Sequence, residues 1–372
     1  MKKMLSFVIV VIILVLLGAS VLGESHVRVL AHGDKEIKNA LAKGCKLVRN
    51  AKIVSAFQCD SKTAIELGLK EDIRVFAVDT GANTQIKANF VQQQNTGAGR
   101  KVVILDTGYN YNHQELQSSY FGGKDFVNSD EDPIDDNGHG SHVAGLITAD
   151  GIDSKSKGVA PDAVVIAGKV LDNAGSGYFS DVVAAIYWAV DGPDGIYGTV
   201  DDFGADAISM SLGTSTPYTY KGFCDATMPD MTNAIKYAVD HGISVVVAAG
   251  NNGNAGVSLP GCISHAITVG AVDSRDRIAS FSGRGNAVDI SAPGVSLYSA
   301  WGSGYATASG TSMATPVVTG TIALIKAVHS AYNPSQIQNA LFKTSKDLGK
   351  FGKDTSFGWG RVDAYGAVNY LQ

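Results

Sequence analysis

An α/β fold with a doubly wound, mostly parallel sheet flanked by helices is predicted by two features of this chain. Its most apolar strands end abruptly in polar residues, and helical patterns alternate with them. KVVILDTG at 101–108 and SVVVAAGN at 244–251 carry uninterrupted apolar, β-branched runs, as strands buried on both faces do. DVVAAIYWAV at 181–190, MTNAIKYAVDHG at 231–242 and the stretch from 317 to 332 have helical periodicity instead. Open sheets of this kind place their sites at the carboxyl edge, so the residues that end the strands are where chemistry is expected.

Asp106 closes the first of these strands and Asn251 the second. His139 lies between Gly138 and Gly140 in DDNGHGSHVAGLITA, ahead of a helical pattern, where small residues let other backbone approach. Ser312, in GTSMATP at 310–316, stands where a long apolar helix begins, so backbone N–H groups surround it. Each residue alone is an ordinary cap, turn or loop residue. Together they supply an acid, an imidazole, an amide and a hydroxyl, each at an element end beside small residues. His142 has metal-like spacing from His139, but no further ligand completes a zinc set, and a buried helical role is expected for it.

DTG, HGSHVAG, AAGN and GTSMATP, in that order, resemble the signature segments of the subtilisin-like serine proteases, the subtilase family. GVAP, ISMSLG, VGAVD and SAPG fall between them in family order, and the likeness runs from near 97 to the C-terminus. A serine hydroxyl is a poor nucleophile unless a neutral imidazole takes its proton, and a carboxylate must orient that imidazole. The resemblance therefore implies Ser312 as nucleophile, His139 as base and Asp106 as orienting acid, with Asn251 and the Ser312 N–H as oxyanion donors. It assigns Gly175, Ser176 and Gly177 to one rim strand of a substrate cleft, and Ser211, Leu212 and Gly213 to the other. The same resemblance implies a specificity pocket after AAGN lined by Ala248, Ala249 and Gly250 with Asn252. No carboxylate lies among these pocket residues, so uncharged residues are expected at the cleavage position. One departure is Val317, where the family has histidine after the proline.

Residues 1–23 read as a secretory signal, Lys2 and Lys3 preceding an apolar run long enough to serve also as an uncleaved anchor. Residues 24–85 are richer in lysine and poorer in glycine than residues 86–372. They read as a separate small α+β domain of order βαββαβ, with a last strand at 73–78. That order resembles the family's ferredoxin-like inhibitory propeptides, which implies a cut between 80 and 90 and a catalytic domain at 86–372. Cys45 and Cys59 precede the cut and Cys224 and Cys262 come after it, so each part can form its own disulfide.

Catalysis of this type needs no cofactor. Structural calcium is expected by resemblance, with Asp191, Asp194, Asp201 and Asp202 in DGPDGIYGTVDD as candidate ligands, a solvated acidic loop being the alternative. Glu115 occupies another family calcium position, although the loop at 150–157 lacks the usual asparagines. The acidic run before His139, SDEDPIDDNG, reads chiefly as solvated loop. A net charge of −5 leaves no basic footprint for nucleic acid. The expected protein is a secreted, monomeric serine endopeptidase that acts on polypeptides, with its own propeptide as inhibitor and folding aid. The alternative is a peptide-binding protein that keeps the cleft without turnover.

Overall fold

The computed structural model describes residues 26–72, 74–77 and 85–371. The expected leader and residues 80–84 of the expected cut region lie outside them. The chain divides into two compact units at Asp72/Ile73, earlier than the domain boundary expected at 85.

In the N-terminal unit an antiparallel sheet runs in the order Lys46–Asn50, Ser55–Asp60, His26–Ala31, Lys70–Glu71. Helices Gly33–Ala42 and Ser61–Glu66 accompany it. Val29, Ala31, Ala40, Phe57 and Ala64 form its core around the Cys45–Cys59 disulfide. Asp60 caps the second helix, accepting from the Lys62 and Thr63 backbone N–H groups. That helix stops at Glu66, shortly before Gly68 at φ 63°. Lys70–Glu71 is then free to take the open edge of His26–Ala31. The strand expected to complete this sheet does not join it. Arg74–Ala77 belongs to the larger unit, where it runs antiparallel to Ser176–Tyr178 on one side and Leu212–Gly213 on the other.

The larger unit is built on a seven-stranded sheet in the order Ile290–Pro293, Ile267–Val272, Ser244–Ala248, Ala207–Met210, Lys101–Asp106, Val164–Lys169, Tyr120–Asp125. Every neighbouring pair is parallel. Alternation sends Val102, Ile104, Val165, Ala167 and Val246 into one core, while Val103, Leu105, Ile166 and Val245 are equally buried on the opposite face. Helices His139–Thr148 and Thr311–Val328 pack on each other against the sheet, and Phe179–Asp191 packs on Pro229–Asp240. Thr311–Val328 is apolar and long enough to cross a membrane, but 83% of it is buried within the protein, which marks a core helix. A second disulfide, Cys224–Cys262, ties the segment after the Leu212–Gly213 strand to the one after Ser244–Ala248.

His142 is fully buried in its helix, with Nε2 3.1 Å from the Leu297 carbonyl and 3.2 Å from that of Ala306. Those acceptors require the Nε2–H tautomer. Burial, with the proximity of His139 as the lesser cause, lowers the His142 pKa to about 4. The unfolded chain takes up this proton near pH 6.5 and the folded chain only near 4. Stability is therefore whole above pH 6.5 and falls as the pH drops toward 4, by on the order of 3 kcal/mol from this residue. Urea midpoints measured from pH 7 to pH 4 in a Ser312→Ala background will show this loss, and a His142→Gln variant will show a shallower slope over the same window. Closing a loop with sequence separation 14, the Cys45–Cys59 bond contributes roughly 3 kcal/mol by loop entropy, comparable to what so small a core supplies. Replacing both cysteines by serine in the full chain will speed amide exchange across residues 26–72 while leaving the larger unit protected.

Candidate active site

The strand Lys101–Asp106 delivers Asp106 to the carboxyl edge of the sheet, fully buried. The helix His139–Thr148 begins at the imidazole, and His139 Nδ1 lies 2.7 Å from Asp106 Oδ1. A carboxylate only accepts, so Nδ1 carries the hydrogen and the basic lone pair belongs to Nε2. The same Asp106 oxygen accepts from the Thr107 N–H at 2.7 Å. Close approach of these elements depends on glycine. A Cβ on Gly140 would sit 2.1 Å from the Gly108 carbonyl oxygen, and one on Gly138, at φ 111°, 2.5 Å from the Trp301 indole nitrogen.

Ser312 is the second residue of Thr311–Val328, a helix that packs on the one His139 opens. Its hydroxyl donates to the Ser211 carbonyl at 3.1 Å, and the Ser211 hydroxyl donates to the Ser312 carbonyl at 2.7 Å. The second bond has a sequence cause. Pro316, four residues on, has no N–H for the Ser312 carbonyl, and Ser211 supplies the missing donor. Asn251 comes after the strand Ser244–Ala248, and its Oδ1 accepts from the Thr311 N–H at 3.0 Å and the Thr311 hydroxyl at 3.1 Å. A backbone N–H can bond only the oxygen of that amide, which fixes its orientation and leaves the NH₂ as the donor end.

The expected rim residues lie on the two strands that flank Arg74–Ala77. Phe76 pairs with Ser176 and Val75 with Gly177, and Gly175 immediately precedes them. Leu212 pairs with Ala77 and Gly213 with Phe76, with Ser211 adjacent. Ala248 and Ala249 are buried, Gly250 adopts φ 86°, and the Asn252 amide donates to the Ser258 hydroxyl at 2.9 Å.

The acidic residues expected to hold calcium do not converge. Asp191 is buried and accepts from the Tyr237 hydroxyl. Asp201 accepts from the Asp194 N–H and the Thr199 hydroxyl, and Asp202 from the Gly198 N–H. Glu115 is fully buried, but its carboxylate already accepts from the N–H groups of Gly151, Ile152 and Asp153 and from the hydroxyls of Ser156 and Tyr305. Burial raises its pKa, and these donors more than offset that, so it lies below the usual range. A cation needs oxygen ligands around it, whereas donors surround this carboxylate, and the residues present do not fit the metal. Among the described residues no group of three or more His, Cys, Asp or Glu is placed to hold a metal ion.

The loop before His139 is not simply solvated. Asp135 Oδ1 accepts from the N–H groups of Asn137 and Gly138 and from the Thr107 hydroxyl, and Oδ2 from the N–H and hydroxyl of Ser141. Asp136 lies 2.6 Å from the ammonium of Lys169, a buried lysine that also donates to the Thr107 and Leu171 carbonyls. The sequence does carry a signal for Asp135, an acidic residue just ahead of a helix start.

Residues 97–360 match the Subtilase family. The chain is 39% identical over 275 residues to a protein named thermophilic serine proteinase from Bacillus sp. (strain AK1), covering 73% of this chain and 62% of that one. It is 39% identical over 278 residues to thermitase of Thermoactinomyces vulgaris, covering 74% of this chain and 90% of thermitase. Identity to subtilisin DY of Bacillus licheniformis is 40% over 274 residues, 71% of this chain and 90% of the relative. With a seven-stranded parallel sheet flanked by helices and an aspartate bonded to a histidine at its carboxyl edge, the chain belongs to the subtilase family of subtilisin-like serine endopeptidases.

Proposed function

We propose that this chain is the self-cleaving precursor of an exported, monomeric endopeptidase that hydrolyses polypeptides through Asp106, His139 and Ser312. The observation that carries this reading is the 2.7 Å bond between Asp106 and His139, at the head of a helix packed on the one that opens with Ser312. His139 Nε2 takes the Ser312 proton as Oγ attacks the peptide carbonyl, while Asp106 steadies the resulting imidazolium. The tetrahedral oxygen is met by the Asn251 NH₂ and the Ser312 N–H. The imidazolium then gives its proton to the departing amine, leaving an acyl-enzyme. The same imidazole then takes a proton from a water that attacks the ester, and the imidazolium so formed gives that proton to the departing Ser312 Oγ, freeing the acid product.

Substrate binds by strand addition on this reading, and Arg74–Ala77 supports it. That segment forms the middle of three antiparallel strands, between the two rims assigned to the cleft. Recognition through backbone hydrogen bonds makes few demands on sequence, which suits broad cleavage. It also suits inhibition by the chain's own N-terminal part before the cut between 80 and 90. The pocket residues Ala248, Ala249 and Gly250 carry no charge, so uncharged side chains are preferred at the cleavage position.

Two expected outcomes test this reading. Intact mass of purified precursor over time will show loss of the N-terminal segment in the Ser312 protein and none in Ser312→Ala; equal processing of both would overturn it. In the mature enzyme Asn251→Ala will lower kcat by about 10²- to 10³-fold with little change in KM, since the lost donor acts on the transition state.

A further inference from the structure

The first turn of the helix that carries His139 is closed almost entirely by side chains from outside it. Backbone N–H groups at the start of a helix have no partners within it. Here Gly138 N–H donates to Asp135 Oδ1 at 2.9 Å, His139 N–H to Asn137 Oδ1 at 3.1 Å, Gly140 N–H to the Thr107 hydroxyl at 2.9 Å, and Ser141 N–H to Asp135 Oδ2 at 2.8 Å. Asp135 thus holds the chain on both sides of the imidazole.

The same carboxylate reaches the strand that carries the acid. Thr107 immediately succeeds Asp106, and its hydroxyl donates to Asp135 Oδ1 at 2.9 Å while accepting from Gly140. The Ser141 hydroxyl donates to Asp135 Oδ2 at 2.6 Å and accepts from the Asn110 N–H at 3.1 Å. Two bridges, through Thr107 and through Ser141, therefore run from the segment after Asp106 to the helix start, and Asp135 is common to both. Burial raises the Asp135 pKa, and the bonds from Gly138, Ser141 and Asn137 outweigh it, so the group stays ionised below the usual carboxylate range. Its negative charge faces the positive end of the helix, a favourable placement in its own right.

We propose that Asp135 is a positioning residue that fixes the helix start against the strand end and so sets the Asp106–His139 hydrogen bond. This role rests on the catalytic roles proposed for Asp106, His139 and Ser312. Both Asp135 oxygens face only donors, so an asparagine at this position must turn its NH₂ toward a donor on one side or the other. One bridge then breaks while the shape is kept. A glutamate retains the charge and both acceptors at a slightly different reach.

The test compares wild type, Asp135→Asn, Asp135→Glu and Thr107→Val as mature enzymes from the full chain. Sites are counted by titration with a fluorophosphonate, and the imidazole Nδ1–H is tracked by its low-field proton resonance. Asp135→Asn is expected to lower kcat per titrated site by about 10- to 100-fold, the order that a displacement near 1 Å costs, with KM unchanged. The resonance will shift or broaden, Asp135→Glu will recover part of the loss, and Thr107→Val will move kcat the same way to a smaller extent. Unchanged kcat per site with an unmoved resonance, or a loss that appears only in KM, overturns the proposal. Where Asp135→Asn does not fold, Thr107→Val decides by the same readouts, because it removes one bridge and no charge. A wild-type protein that the fluorophosphonate does not label would instead defeat the catalytic reading itself, and the positioning role would fall with it.

Discussion

A carboxylate bonded to an imidazole, both with almost no exposure to water, is an expensive pair to bury, and much of the larger unit is arranged around it. Asp106 is brought there by a central strand whose neighbours on both sides are parallel, so its end cannot drift without breaking two ladders. His139 is brought by the first residue of a buried helix. Neither element is adjustable on its own. The close fit of Gly140 against the Gly108 carbonyl leaves no room for a side chain between them.

Both helices that meet at the site lack a cap from their own N-cap side chain. The orphan groups of their first turns are satisfied instead by residues that belong to the site. Asp135, Asn137 and Thr107 close one, and Asn251 and Ser211 close the other. Helix termination and site geometry are therefore the same set of hydrogen bonds. Both helices start from a glycine, and at Gly138, with φ 111°, a Cβ would meet the Trp301 indole.

The sheet and its helices were legible because hydrophobic period and strand length are local properties of the chain, as KVVILDTG and SVVVAAGN illustrate. The joining of Asp106 to His139 was legible only through the combination of motifs. What escaped depends on partners that a sequence does not mark. The donors around Glu115 are mainly backbone N–H groups of a short loop, which any residues there would present, so a carboxylate expected by resemblance to bind a metal is instead internally saturated. Asp135 sits in a run of polar residues that looks solvated, and only the nearness of Thr107 and Ser141 in space turns it into a junction. The strand at Arg74–Ala77 was predicted as a strand, but alternation says nothing about which sheet accepts it.

That last strand bears on how a broad protease would be restrained. Its neighbours contribute Ser176, Gly177, Tyr178, Leu212 and Gly213 to the pairing, and three of these five are small residues whose backbone is paired with Arg74–Ala77. Binding by such an edge rests on main-chain hydrogen bonds, so whatever lies there is held by geometry more than by sequence. A tethered segment competes for that edge at a high effective concentration that a free peptide does not reach. Cutting the tether would, on the proposed reading, let the same weak sequence demand that favours the segment exchange it for other chains. On the proposed reading, breadth of cleavage and inhibition by the chain's own N-terminal part are two consequences of one backbone-directed cleft, and a more selective cleft would weaken both.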